Sequence, residues 1–431
     1  MVEDEQGVVR AVAWSEVLPW LRIYRTFRLA VSVRVLLLAA VATAITLGGW
    51  ALIDRVFSGE KQAAGLLGDA ARRPWVVVDR MVPNQPQIPF IDYASATEPP
   101  TDPGDAAAAS ASDQVGFLGP WWELLQPFWQ ARELHRGPTD LAHLLLAGLW
   151  SLATWAFFGG AITRIAAVEL SCEERVGLMP ALRYACRKWR AYFAAPLFPA
   201  VGIAGITIVF VLIPAFFLRY EWGLLLVAIT WPIALLFGLI MAVLVLWAVF
   251  GWPLMFPTIS TEGTDSFDAV SRSYSYLFQR PLHYLFYALV ATVLGTLGWL
   301  LVANFAAAVI GMSNWAASWS CGAERMSEII NGGKNLLQVG SAGAAVLGFW
   351  TGCVKLLAVG FLYGFFFTAA TAIYLLLRRD VDDTELDEVF LDEDQSEEEY
   401  GVPPLVTDTA GAPLATDDVP EVVLEPDDGD V

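Results

Sequence analysis

Six apolar runs, each about twenty residues or longer, constrain this chain more than any other feature. A bilayer core of about 30 Å is crossed by roughly 20 consecutive apolar residues in a helix. The runs cover 29–53, 141–165, 193–218, 223–256, 284–312 and 342–377. Arg34 sits near the start of the first, Arg219-Tyr220-Glu221-Trp222 separates the third from the fourth, and Arg378-Arg379 closes the last. The expected fold class is therefore all-α, a polytopic membrane helix bundle with six transmembrane helices. The fourth and sixth runs exceed what a bilayer requires. They are expected to tilt, to kink at Pro232 or Pro253, or to continue outside the membrane.

Charge is distributed unevenly. The chain is 56% hydrophobic and 16% charged, yet its formal net charge is −19. Residues 380–431 hold 20 of the 45 Asp and Glu and none of the 26 Lys and Arg. The body before them is thus close to neutral and very apolar. This excludes a single soluble globular domain, a collagen-like chain and a disulfide scaffold. The tail, 380–431, is expected to be acidic, disordered and cytoplasmic. Such a tail is repelled by nucleic acid and by an anionic membrane surface. It either solvates the chain, docks on a basic protein partner, or folds back on Arg183, Arg187, Lys188 and Arg190.

Basic residues beside the helices set the orientation. Arg10, Arg22, Arg25, Arg28 and Arg34 precede or open the first run, which places the N-terminus in the cytoplasm. Alternation then puts Arg164, Arg175, Arg183, Arg272, Arg280, Arg378 and Arg379 on the same side, and an even number of spans returns the C-terminus there. The expected location is the inner membrane of a bacterium. Residues 1–28 read as a cytoplasmic N-terminus with an amphipathic helix over 11–28 (Trp14, Leu18, Leu21 beside Arg22, Arg25, Arg28) suited to an anionic leaflet. Residues 29–53 read as an uncleaved signal-anchor helix, because the apolar run is longer than a signal-peptide core. Residues 54–140 form an extracytoplasmic loop. Its middle, 93–116, is expected to be disordered, and Trp121-Trp122, Leu124-Leu125 and Phe128-Trp129 fit an interfacial helix. Residues 141–379 form a five-helix membrane domain. The lipid bilayer is the partner implied throughout, with a protein partner for the tail or the outer loop as the further candidate.

Two spans end alike, in Trp155-Ala156-Phe157-Phe158-Gly159 and in Trp247-Ala248-Val249-Phe250-Gly251. A Glu seven residues before an Ala follows each: Glu174 and Ala181, then Leu182-Arg183; Glu262 and Ala269, then Val270-Ser271-Arg272-Ser273. The unit reads as helix, cytoplasmic amphipathic helix, helix, and it suggests an internal repeat. In 265–280, Phe267, Val270, Tyr274 and Leu277 share a face, and Asp265 is placed to cap the N-terminus.

The second copy resembles a recurring motif of uncharacterised bacterial multi-pass families. Glu262-Gly263, five residues, Ala269, two residues and Arg272-Ser273 are similar to the membrane domain associated with glycerophosphoryl diester phosphodiesterases. The match covers about 247–290. The echo at 155–200 is weaker, with Arg175 in place of the Gly and Tyr184-Ala185 in place of Arg-Ser. The resemblance implies an all-helical membrane domain and no catalysis, because the phosphodiesterase of that family is a separate domain. The Arg378-Arg379-Asp380 exit into an acidic tail also looks like planctomycete-type uncharacterised membrane proteins.

Signatures of membrane enzymes are missing from the sequence: it has no HExxH, GxSxG or Walker loop. The 3 His are not at metal-ligand spacing and the 4 Cys form no CxxC. No cofactor, metal or catalytic residue is expected. Lys355 is the strongest intramembrane polar residue. It lies in a glycine-rich helix with two GxxxG pairs, Gly348/Gly352 and Gly360/Gly364. Three readings stand for it: snorkelling at the outer interface, close packing with a polar partner, or a transport or ion site. The candidate functional residues are thus Lys355, Glu262, Arg272, Glu174 and Arg183. The expected role is a non-enzymatic scaffold or assembly component, and the alternative is a small-solute or lipid transporter.

Overall fold

The computed structural model describes residues 19–57, 138–172, 175–212, 216–330 and 338–384, together with 78, 81–82, 120–121, 125 and 389–390. Among these residues the regular structure is all helical. A 3₁₀ turn at Pro19–Arg22 leads into α1 (Ile23–Ala30), followed by α2 (Val33–Phe57), α3 (Pro138–Ser171), α4 (Leu178–Ile206), α5 (Glu221–Glu262), α6 (Ser266–Gln279), α7 (Pro281–Cys321), α8 (Ala323–Ile330) and α9 (Gln338–Asp382). A π-helical turn, Thr207–Leu212, extends α4. Six of these helices, α2, α3, α4, α5, α7 and α9, are long and apolar enough to cross a membrane. They coincide with the six apolar runs, as backbone satisfaction in hydrocarbon requires.

The runs and the helices differ at their ends. Val31 and Ser32 break the first run, so Leu29 and Ala30 belong to α1 and the span starts at Val33. The basic, amphipathic stretch does not merely flank the bundle. Ile23, Thr26 and Ala30 are fully buried, and Phe27 packs edge-on against Phe361 of α9 with ring centroids 5.7 Å apart. Residues 11–18 lie outside the described residues. The cytoplasmic helix expected around Ala181 in the first repeat copy is not separate either: it is the first half of α4, continuous into the third span. Helix α5 runs 42 residues through Pro232, Pro253 and Pro257 without a break. At 1.5 Å per residue it is ~63 Å long, about twice the hydrocarbon thickness. Helix α9 carries on to Asp382, so the first three residues of the expected tail are helical. Most of the 54–140 loop, and the tail from 391 onward, lie outside the described residues.

Lipid tails are as apolar as leucine, so helices here associate through close packing and hydrogen bonds. The α2–α9 crossing shows this. A Cβ on Gly360 would lie 2.9 Å from the Ala40 nitrogen, and one on Gly364 would lie 2.8 Å from Val35. The other glycine pair differs: a Cβ on Gly348 or Gly352 would meet nothing within 4 Å. Two indoles lock α2 to α3 reciprocally. Trp50 donates to Ser151 Oγ at 2.9 Å, and Trp150 donates to the Ile45 carbonyl at 3.1 Å. Aromatic rings fill the space between α3, α5 and α9. Trp155 stacks on Tyr363 at 4.4 Å, Phe256 meets Phe367 at 5.5 Å, and Trp252 meets Phe366 at 5.3 Å. The two repeat tryptophans therefore have different surroundings, since Trp247 packs instead on Tyr274 of α6 at 5.4 Å.

Candidate functional site

The polar residues of the Glu-Gly motif gather where α5 ends. A helix that stops leaves its last carbonyls without intrahelical donors. Gly263 terminates α5 with φ 65°, the left-handed conformation that glycine adopts without steric cost. Its N–H returns to the Ile259 carbonyl at 3.0 Å. Two residues later Asp265 caps α6, its carboxylate accepting from the Phe267 and Asp268 N–H groups at 3.0 Å each. The chain thus reverses in one tight turn and lays α6 against α5.

That reversal brings Arg272 to Glu262. The guanidinium lies 2.8 Å from the carboxylate, Arg378 of α9 approaches it to 3.7 Å, and the Tyr374 hydroxyl donates to it. The Glu262 side chain is only 8% exposed. One carboxylate thereby joins α5, α6 and α9. Burial works against the charge on Arg272, but Glu262, Tyr276 and Tyr374 together outweigh it and hold the guanidinium above its ordinary range. Beside the pair, Tyr276 donates to Asp382 and Tyr287 donates to Asp380 at 2.9 Å. Burial, then the Asp382 interaction, pushes the Tyr276 hydroxyl up. The inward face of α6 is Ala269, Ser273 and Tyr276. Of the shared apolar face, Tyr274 packs on Trp247 and Phe267 is largely exposed. Small residues let α6 approach α5 closely enough for the ion pair, and Phe267 and Phe278 turn outward.

A second set of donors, on α3 and α4, collects the α5 carbonyls. Arg164 is fully buried and donates to the Ser260 carbonyl at 2.8 Å. Its guanidinium lies over the Tyr184 ring at 4.3 Å, and Tyr184 donates to the Ile259 carbonyl at 2.8 Å. Lys188 donates to the Gly263 carbonyl. The Ser260 hydroxyl bonds both Thr163 and Tyr192 at 2.7 Å. Two cations at a helix C-terminus also complement its dipole. Sequence reasoning took Arg164 as a topology marker and missed this role. The signal was available: Ile165-Ala166-Ala167-Val168 continues the apolar run past it.

Among the described residues, the other candidates, Arg183 and Lys355, do not join this cluster. Arg183 is exposed on α4, and Glu174 lies outside the described residues. Lys355 is 1% exposed within α9. That burial departs from snorkelling at an interface and leaves close packing or a transport role as its readings. At the opposite end from Glu262, His143 lies 4.0 Å from Asp54. No group of His, Cys, Asp and Glu suited to a metal ion occurs among the described residues. The four cysteines are free thiols. No family model, curated protein or solved structure matches the chain.

Proposed function

We propose that this protein is a non-enzymatic scaffold or assembly component of a bacterial inner membrane, with both termini in the cytoplasm. The observation that carries the reading is the use made of Glu262. Its carboxylate is spent on Arg272, Arg378 and Tyr374 of the same chain, as expected of a residue that holds helices together. The motif then serves as a helix-reversing clamp, a role consistent with kinship to the membrane domain associated with glycerophosphoryl diester phosphodiesterases. The clamp holds α6 with Phe267 and Phe278 exposed at 66% and 72%, a surface for a protein or for lipid. The basic flanks of α2, α4, α6 and α9 support the cytoplasmic placement of this end. Photocrosslinkers at positions 267 and 278 in intact cells test the reading. A discrete, saturable protein adduct supports a scaffold, and adducts to lipid alone overturn it.

Lys355 supports a second reading, a transporter for small solutes or lipids, because a buried intramembrane lysine is costly and usually functional. Reconstituted flux compared between wild type and Lys355→Ala separates the two. A lysine-dependent flux favours transport, and unchanged flux removes the residue from any such mechanism.

A further inference from the structure

A cavity of about 290 Å³ opens where α1, α2 and the α3–α4 connection meet. Among the described residues, Arg25, Arg28, Arg34 and Arg175 line it, with Glu169 as the acid. Arg34 is committed to structure: it lies 2.6 Å from Glu169 and also donates to the Val176 carbonyl. Arg28 and Arg175 make no ion pair among the described residues, although both act on Glu169 from a distance, so basic groups outnumber the acid in the described lining. Repulsion between guanidiniums gathered in one concavity is unfavourable until an anion enters.

Two uncharged features point to the class of anion. Ser32 lines the same cavity, and its hydroxyl is buried with no hydrogen-bond partner. A buried, unpaired hydroxyl is disfavoured unless something else satisfies it. Ser32 also precedes the first residue of α2, its carbonyl accepting the Leu36 N–H at 3.0 Å. A serine at this position normally accepts from the first-turn N–H groups. Here it does not, so the N–H groups at the positive end of a 25-residue helix remain for an external acceptor. Guanidiniums, a hydroxyl and helix-terminal N–H groups together are the donor set of a phosphate site. The volume is at the small end for ligand pockets and fits a phosphate with a short substituent. Val31 and Val33, on either side of Ser32, are 40% and 70% exposed, and they offer an apolar surface beside the cavity.

We propose that this cavity binds a phosphate group, carried by an anionic phospholipid whose acyl chains lie along Val31 and Val33. The site is independent of the scaffold and transport readings. The test uses the full chain in nanodiscs of phosphatidylcholine with or without phosphatidylglycerol, released for native mass spectrometry. Wild type is expected to retain phosphatidylglycerol in preference to phosphatidylcholine. Arg28→Gln with Arg175→Gln lowers that preference about thirtyfold, as loss of two basic contacts implies, and Ser32→Ala lowers it less. The control is Arg183→Gln with Arg190→Gln, exposed arginines of α4 outside the cavity, which leaves the preference unchanged. Arg28 and Arg175 are exposed, so their replacement spares the fold, and the thermal midpoint of each variant without anionic lipid checks this. Displacement of the lipid by millimolar glycerol phosphate supports the same donor set with a soluble source. An equal loss in the control pair, or no preference for anionic lipid in wild type, overturns the proposal.

Discussion

Glu262 and Arg272 face each other at 2.8 Å across a turn of three residues, so the last residue of α5 is tied to the middle of α6. Ion pair, left-handed glycine and aspartate cap act on the same reversal, and each can be perturbed separately.

Gly263 is the position where the backbone leaves least choice. An alanine at φ 65° costs about 1–2 kcal/mol. Gly263→Ala is expected to lower the unfolding free energy in bicelles by that amount, and Gly263→Asn by less. Equal stability of Gly263→Ala and wild type would mean that the turn is not held as described.

Tyr274 supplies a pH dependence. Burial pushes its hydroxyl up from 10.0 to about 12, and its oxygen has no hydrogen-bond partner. The folded chain therefore favours the neutral phenol. This contribution is complete below pH 10 and fades as the pH rises toward 12. Tyr274→Phe keeps the ring against Trp247 and is expected to match or slightly exceed wild-type stability at pH 8. It should also lose less stability at pH 11. Part of the alkaline loss persists, because Tyr276 is raised too. Unfolding curves at the two pH values decide it.

The two glycine pairs of α9 give opposite expectations. Gly360→Val drives a side chain into the backbone of α2 and is expected to cost about 2 kcal/mol or more. Gly348→Val meets open space and is expected to be near neutral or mildly stabilising through helix propensity. Thermal inactivation of the two variants side by side is the check.

Arg164 is expected to be irreplaceable by lysine. Its planar guanidinium both donates to the Ser260 carbonyl and covers the Tyr184 ring. Arg164→Lys and Arg164→Met should each lose about 2–3 kcal/mol, read as reduced yield of folded protein and a lower midpoint. A lysine variant as stable as wild type would show that charge alone matters there.

The helices were legible because hydrocarbon demands long uninterrupted apolar runs, and α2, α3, α5, α7 and α9 lie where those runs do. The Asp265 cap was also legible, since it follows from local backbone chemistry. Partner choice was not. Gly348/Gly352 and Gly360/Gly364 have the same spacing, and only the tertiary arrangement decides which pair meets a neighbouring helix. Periodicity showed which α6 residues share a face, but not that Ala269, Ser273 and Tyr276 are the ones that pack. Snorkelling, close packing and transport all stood open for Lys355, because the sequence does not show that it is buried among the helices.

The central claim is that the Glu262 cluster holds the bundle together, and a double-mutant cycle tests it most directly. Glu262→Gln, Arg272→Gln and the double variant are unfolded under identical bicelle conditions. Arg272 is 46% exposed at its side chain, which moderates the pair, so a coupling of about 1–2 kcal/mol is predicted. Additive losses with no coupling would contradict the account.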